Sequence, residues 1–280
     1  MSIVIAALAL GGLGIVFSII LAFAHKKFAV KVDPKIDELM AVLPGANCGA
    51  CGFAGCLGFA EAVVKGLASA DGCLAGGPDV SRAVGEIMGV SVEPQEELVA
   101  FVRCMAGRND APVRFDYHGV MSCRAASLLF GGDKACVYGC LGFGDCERAC
   151  PFDAIHVNDE GLAVVDREKC TACRKCVAAC PRGIITMVPK SKSVHVACMN
   201  RDRGKKARDV CTFACIACKL CEKNCPAGAI PVVDNLAAID YDKCTECGLC
   251  VEKCPQKCIL NIAVEKLVPA EGKIVGVEVQ

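Results

Sequence analysis

Between Cys136 and Cys254, sixteen cysteines fall into two copies of one pattern, and no other feature limits the possible folds as tightly. The first copy runs Cys136, Cys140, Cys146 and Cys150-Pro151, then Cys170, Cys173, Cys176 and Cys180-Pro181. The second runs Cys215, Cys218, Cys221 and Cys225-Pro226, then Cys244, Cys247, Cys250 and Cys254-Pro255. Three of the four half-units read C-x2-C-x2-C-x3-C-P. Such spacing forces a tight loop in which three thiols converge, and the proline ends the loop and turns the chain away. One run of this kind can arise by chance, but three in tandem with a fourth near-copy cannot. Cys136 precedes Cys211 by 75 residues and Cys170 precedes Cys244 by 74, so one residue is missing from the turn between the half-units.

Twenty-five cysteines in 280 residues could serve disulfides, zinc or iron–sulfur clusters. Disulfide frameworks belong mainly to short secreted chains, and no cleavable leader is evident here. Structural zinc favours C-x2-C pairs set far apart, often with histidine, whereas the four histidines here lie outside the runs. The runs resemble those of bacterial dicluster ferredoxins. There the first three cysteines hold one [4Fe–4S] cluster and the cysteine before proline reaches across to the other. That resemblance pairs Cys170, Cys173 and Cys176 with Cys150. In the second module it pairs Cys215, Cys218 and Cys221 with Cys254, and Cys244, Cys247 and Cys250 with Cys225. The first half-unit departs from the pattern, because Phe143 stands where Cys218 stands in the second module. Cys136, Cys140 and Cys146 with Cys180 are therefore expected to hold that cluster. The second module has both options; the ordinary triplet with Cys218 is expected there, leaving Cys211 spare.

Residues Ile3–Ala24 are uncharged and almost wholly apolar. As a helix they would span about 33 Å at ~1.5 Å per residue, enough for a bilayer. His25, Lys26, Lys27 and Lys31 follow, a basic flank that favours a cytoplasmic carboxyl side. A retained single-pass anchor in the cell (inner) membrane is expected, with every cluster on the cytoplasmic side. The rest of the chain carries no bulk field for nucleic acid, since 31 basic residues balance 31 acidic ones. With no tryptophan and few aromatics, it suits several small metal-stapled modules better than one large core.

After Asp33-Pro34, a helix over Lys35–Val42 leads into a glycine-rich C-x2-C-x4-C stretch at Cys48, Cys51 and Cys56, and a helix over Leu57–Ala70 carries the chain back to Cys73. This resembles the small four-iron Fes domain, whose ligands would be Cys48, Cys51, Cys56 and Cys73; Ala54 replaces the usual proline. Further on, Val80–Met88 reads as helix, Leu98–Cys104 as strand and Ser122–Phe130 as helix, and Cys104 and Cys123 read as buried thiols. Each repeat reads as loop, hairpin, loop: Ala154–Val157 with Leu162–Val165, and Ala229–Val233 with Ala237–Tyr241. The basic stretch Lys190–Asp209 is either a solvated linker or a docking face for an acidic electron carrier. The tail, Glu265–Gln280, reads as short strand.

The expected architecture is multi-module α+β: a transmembrane anchor (1–30), a small helical Fes iron–sulfur domain (31–95), a connector (96–131) and two tandem dicluster ferredoxin-like modules (132–190 and 191–280). In this order the motifs resemble the B subunits of the Rnf family of membrane complexes, in their long, two-module form. The resemblance implies five [4Fe–4S] clusters and electron transfer from soluble reduced ferredoxin. It also implies partners that include the other membrane and NAD-binding subunits, in a complex that reduces NAD and translocates Na+ or H+. This chain carries no nucleotide fingerprint of its own, so no substrate-converting site is expected on it. A membrane-tethered polyferredoxin outside any pump would show the same cysteines. The sequence leaves open the roles of Cys104, Cys123, Cys198, Cys211 and Cys258.

Overall fold

The structure, a computed structural model, describes residues 2–28, 33–93 and 96–263, with side chains of the first helix from Gly11 to Lys27. Helix α1 runs Ser2–Phe28, and its described apolar side chains, among them Leu13, Phe17, Ile20 and Phe23, are exposed. Among the described residues no helix is long and apolar enough to cross a membrane. Part of the expected span over Ile3–Ala24 lies outside the described side chains, although the backbone helix itself is 27 residues long. The expected strand over Glu265–Gln280 lies outside the described residues.

Three helices follow: α2 (Pro34–Val42), α3 (Gly55–Val64) and α4 (Gly77–Met88). Asp33 starts α2 by accepting the Lys35 backbone N–H at 3.0 Å, with Pro34 in the first turn, where its missing N–H costs nothing. The helix expected to reach Ala70 stops at Val64. Gly66 takes a left-handed conformation there, and the Leu67 N–H turns back to the Ala62 carbonyl at 2.8 Å. Leu39, Phe59 and Val84, one from each helix, are fully buried together.

The remainder comprises β1 (Leu98–Val102), α5 (Cys123–Ser127), α6 (Asp145–Arg148), β2 (Ile155–Val157), β3 (Ala163–Val165), α7 (Lys175–Ala179) and β4 (Ile185–Pro189). Then come β5 (Val194–Val196), α8 (Lys205–Val210), α9 (Leu220–Asn224), β6 (Val232–Val233), β7 (Leu236–Ala237), α10 (Leu249–Glu252) and β8 (Ile259–Asn261). Both hairpins form, β2 with β3 and β6 with β7, but the second is cut to Val232–Val233 against Leu236–Ala237, short of the expected Ala237–Tyr241 strand. Each module gains a second antiparallel pair from a strand that precedes it. β1 runs against β4 from Leu98 opposite Pro189 to Val102 opposite Ile185, and β5 runs against β8 from Val194 opposite Asn261 to Val196 opposite Ile259. The stretch Lys190–Asp209 is thus partly core: Val194, Val196, Ala197 and Asn200 are buried, while Arg201 and Lys206 stay at the surface in ion pairs with Asp234 and Asp202. His195 joins the sheets, its ring 4.6 Å from that of Phe101 in β1.

Candidate metal centres

The four cysteine loops share one backbone. At the second and fourth places after the leading cysteine, each loop turns left-handed: Gly142 and Gly144, Ala172 and Arg174, Ala217 and Lys219, Glu246 and Gly248. The third place after each Cys-Pro cysteine is left-handed as well, at Asp153, Gly183, Gly228 and Lys257. The first loop keeps this geometry although Phe143 occupies the middle ligand position. There the glycine is obligatory, since a Cβ on Gly142 would lie 2.3 Å from the Gly161 carbonyl oxygen.

These loops gather thiols in fours. A cavity in the first module is lined by Cys150, Cys170, Cys173 and Cys176. Two in the second module are lined by Cys225, Cys244, Cys247 and Cys250, and by Cys215, Cys218, Cys221 and Cys254 with Cys258 beside them. Electrostatics draws the same groups. Burial pushes the Cys176 thiol up to about 12, and charge on Cys170, Cys173 and Cys150 pushes the same way. Burial likewise takes Cys221 to about 12 with help from Cys215, Cys218 and Cys254, and Cys250 to about 11 with help from Cys244, Cys247 and Cys225. Near the N-terminus, burial raises Cys73, and Cys56, Cys51 and Cys48 add to the rise. Asn47 pins that loop by accepting the Cys56 N–H at 2.8 Å, and a side chain on Gly55 would collide with it.

Around Cys146 the structure brings Cys123 near the expected Cys140 and Cys180. Burial pushes Cys146 up to about 12, and the cysteines that reinforce this are Cys140, Cys123 and Cys180. Cys123, read from sequence as a buried thiol, packs on α5 against Leu141 and Phe143, beside the loop that lacks its middle cysteine. Cys136, expected as the substitute, instead lines a separate cavity with Cys104, Cys198 and Cys211. The only hint in the sequence is the vacant ligand place at Phe143; nothing in local spacing points to a cysteine 17 residues before Cys140.

These donor sets fit [4Fe–4S] clusters. Each is four thiols that line one cavity or lie close enough for their charges to interact, and each contains a thiol that burial and its neighbours keep from ionising unless a cation takes the charge. Backbone N–H groups are aimed at the sulfurs, as at Cys150 from Ala154 (3.4 Å), Cys225 from Ala229 (3.3 Å) and Cys170 from Ala100 (3.4 Å). Among the described residues no three metal-ligating groups close on a point that a single ion would fill. Cys218 and Cys247 are exposed, so two of the groups reach the surface.

Fold and donor sets define an iron–sulfur protein of the polyferredoxin class. Residues 43–75 match the FeS family of Fe–S cluster domains, and residues 135–184, 169–229 and 214–259 match 4Fe-4S dicluster domain families. The chain is 51% identical over 250 residues to the B subunit of the Na(+)-translocating ferredoxin:NAD(+) oxidoreductase complex of Acetobacterium woodii, covering 89% of this chain and 75% of that one. It is 46% identical over 250 residues to the B subunit of the ion-translocating oxidoreductase complex of Methanosarcina acetivorans (89% and 95% covered). It is 40% identical over 253 residues to the B subunit of the proton-translocating ferredoxin:NAD(+) oxidoreductase complex of Clostridium ljungdahlii (89% of each). The chain belongs to this family, the B subunits of ion-translocating ferredoxin:NAD oxidoreductase (Rnf) complexes.

Proposed function

We propose that this chain is the electron-relay subunit of a membrane complex that oxidises reduced ferredoxin and reduces NAD, coupled to Na+ or H+ translocation. The observation that carries this reading is the set of five four-thiol groups held in ferredoxin and Fes loops. The ligands are Cys48, Cys51, Cys56 and Cys73; Cys123, Cys140, Cys146 and Cys180; Cys150, Cys170, Cys173 and Cys176; Cys215, Cys218, Cys221 and Cys254; and Cys225, Cys244, Cys247 and Cys250. A bound [4Fe–4S] cluster supplies a one-electron store whose potential the surrounding protein sets. The chain's own part is to hold the thiolates, shield them from water and point backbone N–H groups at their sulfurs. The exposed edges at Cys218 and Cys247 give a soluble ferredoxin short access to the second module. No group here needs to move a proton, and the NAD site and the ion path belong to partner subunits.

Helix α1 serves as a single-pass anchor with the cluster modules on the cytoplasmic side. Apolar side chains point outward on every side of it, which suits lipid contact, and His25, Lys26 and Lys27 close its carboxyl end. Two measurements test the proposal. The chain purified anaerobically from membranes should bring integral membrane and NAD-binding subunits with it; a chain that purifies alone and trades electrons with several enzymes would be a free carrier. Cys123→Ser should lose about four iron atoms per chain, one cluster's worth. An unchanged iron content would return the fourth ligand of that cluster to Cys136.

A further inference from the structure

Of the five cysteines outside the five groups, four line a single cavity between the modules: Cys104, Cys136, Cys198 and Cys211. We propose that they form a sixth [4Fe–4S] site, built from a matched pair of thiols from each half of the repeat. The inference rests on the reading of the other loops as cluster loops and adds a site that none of their motifs contains.

The internal repeat accounts for all four residues. Cys136 and Cys211 hold the same repeat position, 75 residues apart. Cys104 lies two residues beyond β1, and Cys198 lies two residues beyond β5. Those strands are equivalent, because each precedes its module and pairs with that module's last strand. The offset from Cys104 to Cys198 is larger than 75 because the first half carries extra residues after its strand, among them Cys123. The hydrogen bonds obey the same symmetry. Cys140 donates its backbone N–H to Cys104 Sγ at 3.4 Å, and Cys215, its repeat mate, donates to Cys198 Sγ at 3.3 Å. Asn200 adds two donors, its own N–H to Cys198 Sγ at 3.3 Å and its side-chain amide to Cys136 Sγ at 3.8 Å. Backbone donors aimed at sulfur are what cluster ligands receive in the five loops.

Charge supports the same conclusion. Lys134 lines the cavity while only 1% exposed; among the described residues it forms no ion pair, and its ammonium meets the Ala106 carbonyl at 3.3 Å. A buried ammonium without a counter-ion is costly. Arg103, partly buried, lines the cavity too. Four thiolates around iron and sulfide carry net negative charge and satisfy both cations, whereas four neutral thiols do not. The location is specific as well. Cys140 and Cys215, which donate to this site's sulfurs, each belong to a neighbouring four-thiol group, so the site lies one hydrogen bond from a cluster ligand in each module.

The test is iron and acid-labile sulfide analysis of the full chain, purified anaerobically and reconstituted. Six sites predict about 24 iron atoms per chain; five predict about 20. Cys104→Ser and Cys211→Ser should each remove about four iron atoms and leave the Mössbauer signal of the remaining clusters in place. Cys247→Ser, in an exposed loop of the five-group reading, should also remove about four; if it alone changes nothing, that reading has failed, not this one. A wild-type count near 20 that Cys104→Ser leaves unaltered would overturn the sixth site. So would one zinc ion per chain that Cys104→Ser abolishes. Should the Ser variants fail to fold, the wild-type iron and sulfide count together with its zinc content still decides the matter.

Discussion

At the scale of single residues, Cys258 stands outside the six proposed groups of four, and its surroundings give it a different task. It is almost fully buried, and its sulfur lies 3.6 Å from that of Cys254. Hydrogen bonding with Cys258 brings the Cys215 thiol down to about 6 and lowers Cys254, while Cys258 itself is driven upward. Cys258 therefore stays a protonated thiol and acts as the donor when Cys254 is a thiolate. Hydrogen bonds to cluster sulfur favour the reduced, more negative state. Cys258→Ala should accordingly keep the iron content and lower the midpoint potential of one cluster, read by EPR-monitored redox titration. Loss of iron would make Cys258 a ligand, and an unmoved potential would rule out the hydrogen bond. None of this was legible in the sequence, where Cys258 has no partner at motif spacing.

At the scale of elements, the cysteine loops store strain. Seven non-glycine residues in them are left-handed (Asp153, Ala172, Arg174, Ala217, Lys219, Glu246 and Lys257), each a conformation costing about 1 kcal/mol or more for an L-residue. The hairpins they flank are two or three residues long per strand, too short to hold such loops alone. Metal ligation must supply the difference. Stripping iron with a chelator after oxidation should thus collapse both modules in one transition, followed by loss of amide protection at the β2–β3 and β6–β7 hairpins. Retained protection in the iron-free chain would show that the loops are stable without metal. Local spacing made these loops and hairpins readable from sequence, just as it did the Fes helices. What it could not reveal were the pairings of β1 with β4 and β5 with β8, because their partners lie 63 to 91 residues away with no intervening turn signal. The same distance hid the nearness of Cys104 to Cys198 and of Cys123 to Cys146. His195, in β5, makes the second pairing measurable. It is wholly buried, with one ring nitrogen 2.8 Å from the Tyr241 hydroxyl and the other 3.1 Å from the Lys192 carbonyl, and burial lowers it to about 4, with Arg167 adding to the effect. Its folded value lies below the unfolded value of about 6.5. The stability it confers is therefore complete above pH 6.5 and is lost as the pH falls from there toward 4. Denaturant titrations should show about 1 kcal/mol lost between pH 7 and 5.5 in the wild type, by linkage at this one group. A His195→Asn chain should lack that slope, and equal slopes in both would assign the effect elsewhere.

At the scale of the whole molecule, the four-thiol groups form a series. Cys48 of the Fes group is close enough for its charge to act on Cys173 of the first module, and the cavity beside Cys73 is also lined by Cys170. On the proposed ligand sets, the groups follow through Cys150 and Cys180 of the first module to Cys140, and through Cys104 and Cys198 to Cys215 of the second. All of these lie beyond residue 33, and the described apolar side chains of α1, such as Leu13, Phe17 and Phe23, are exposed. On the proposed reading the anchor and the cluster series are separable pieces of physical chemistry, one held by lipid and the other by iron and its own packing. Deleting residues 1–28 should release the chain from the membrane fraction while its iron content, visible absorbance and reducibility by ferredoxin stay those of the full-length protein. Two results would contradict this. A truncated chain that still sediments with membranes would mean that the cluster modules themselves, or the partner subunits they bind, do the anchoring. A truncated chain that sheds iron would mean that α1 packs onto the Fes domain and belongs to its fold.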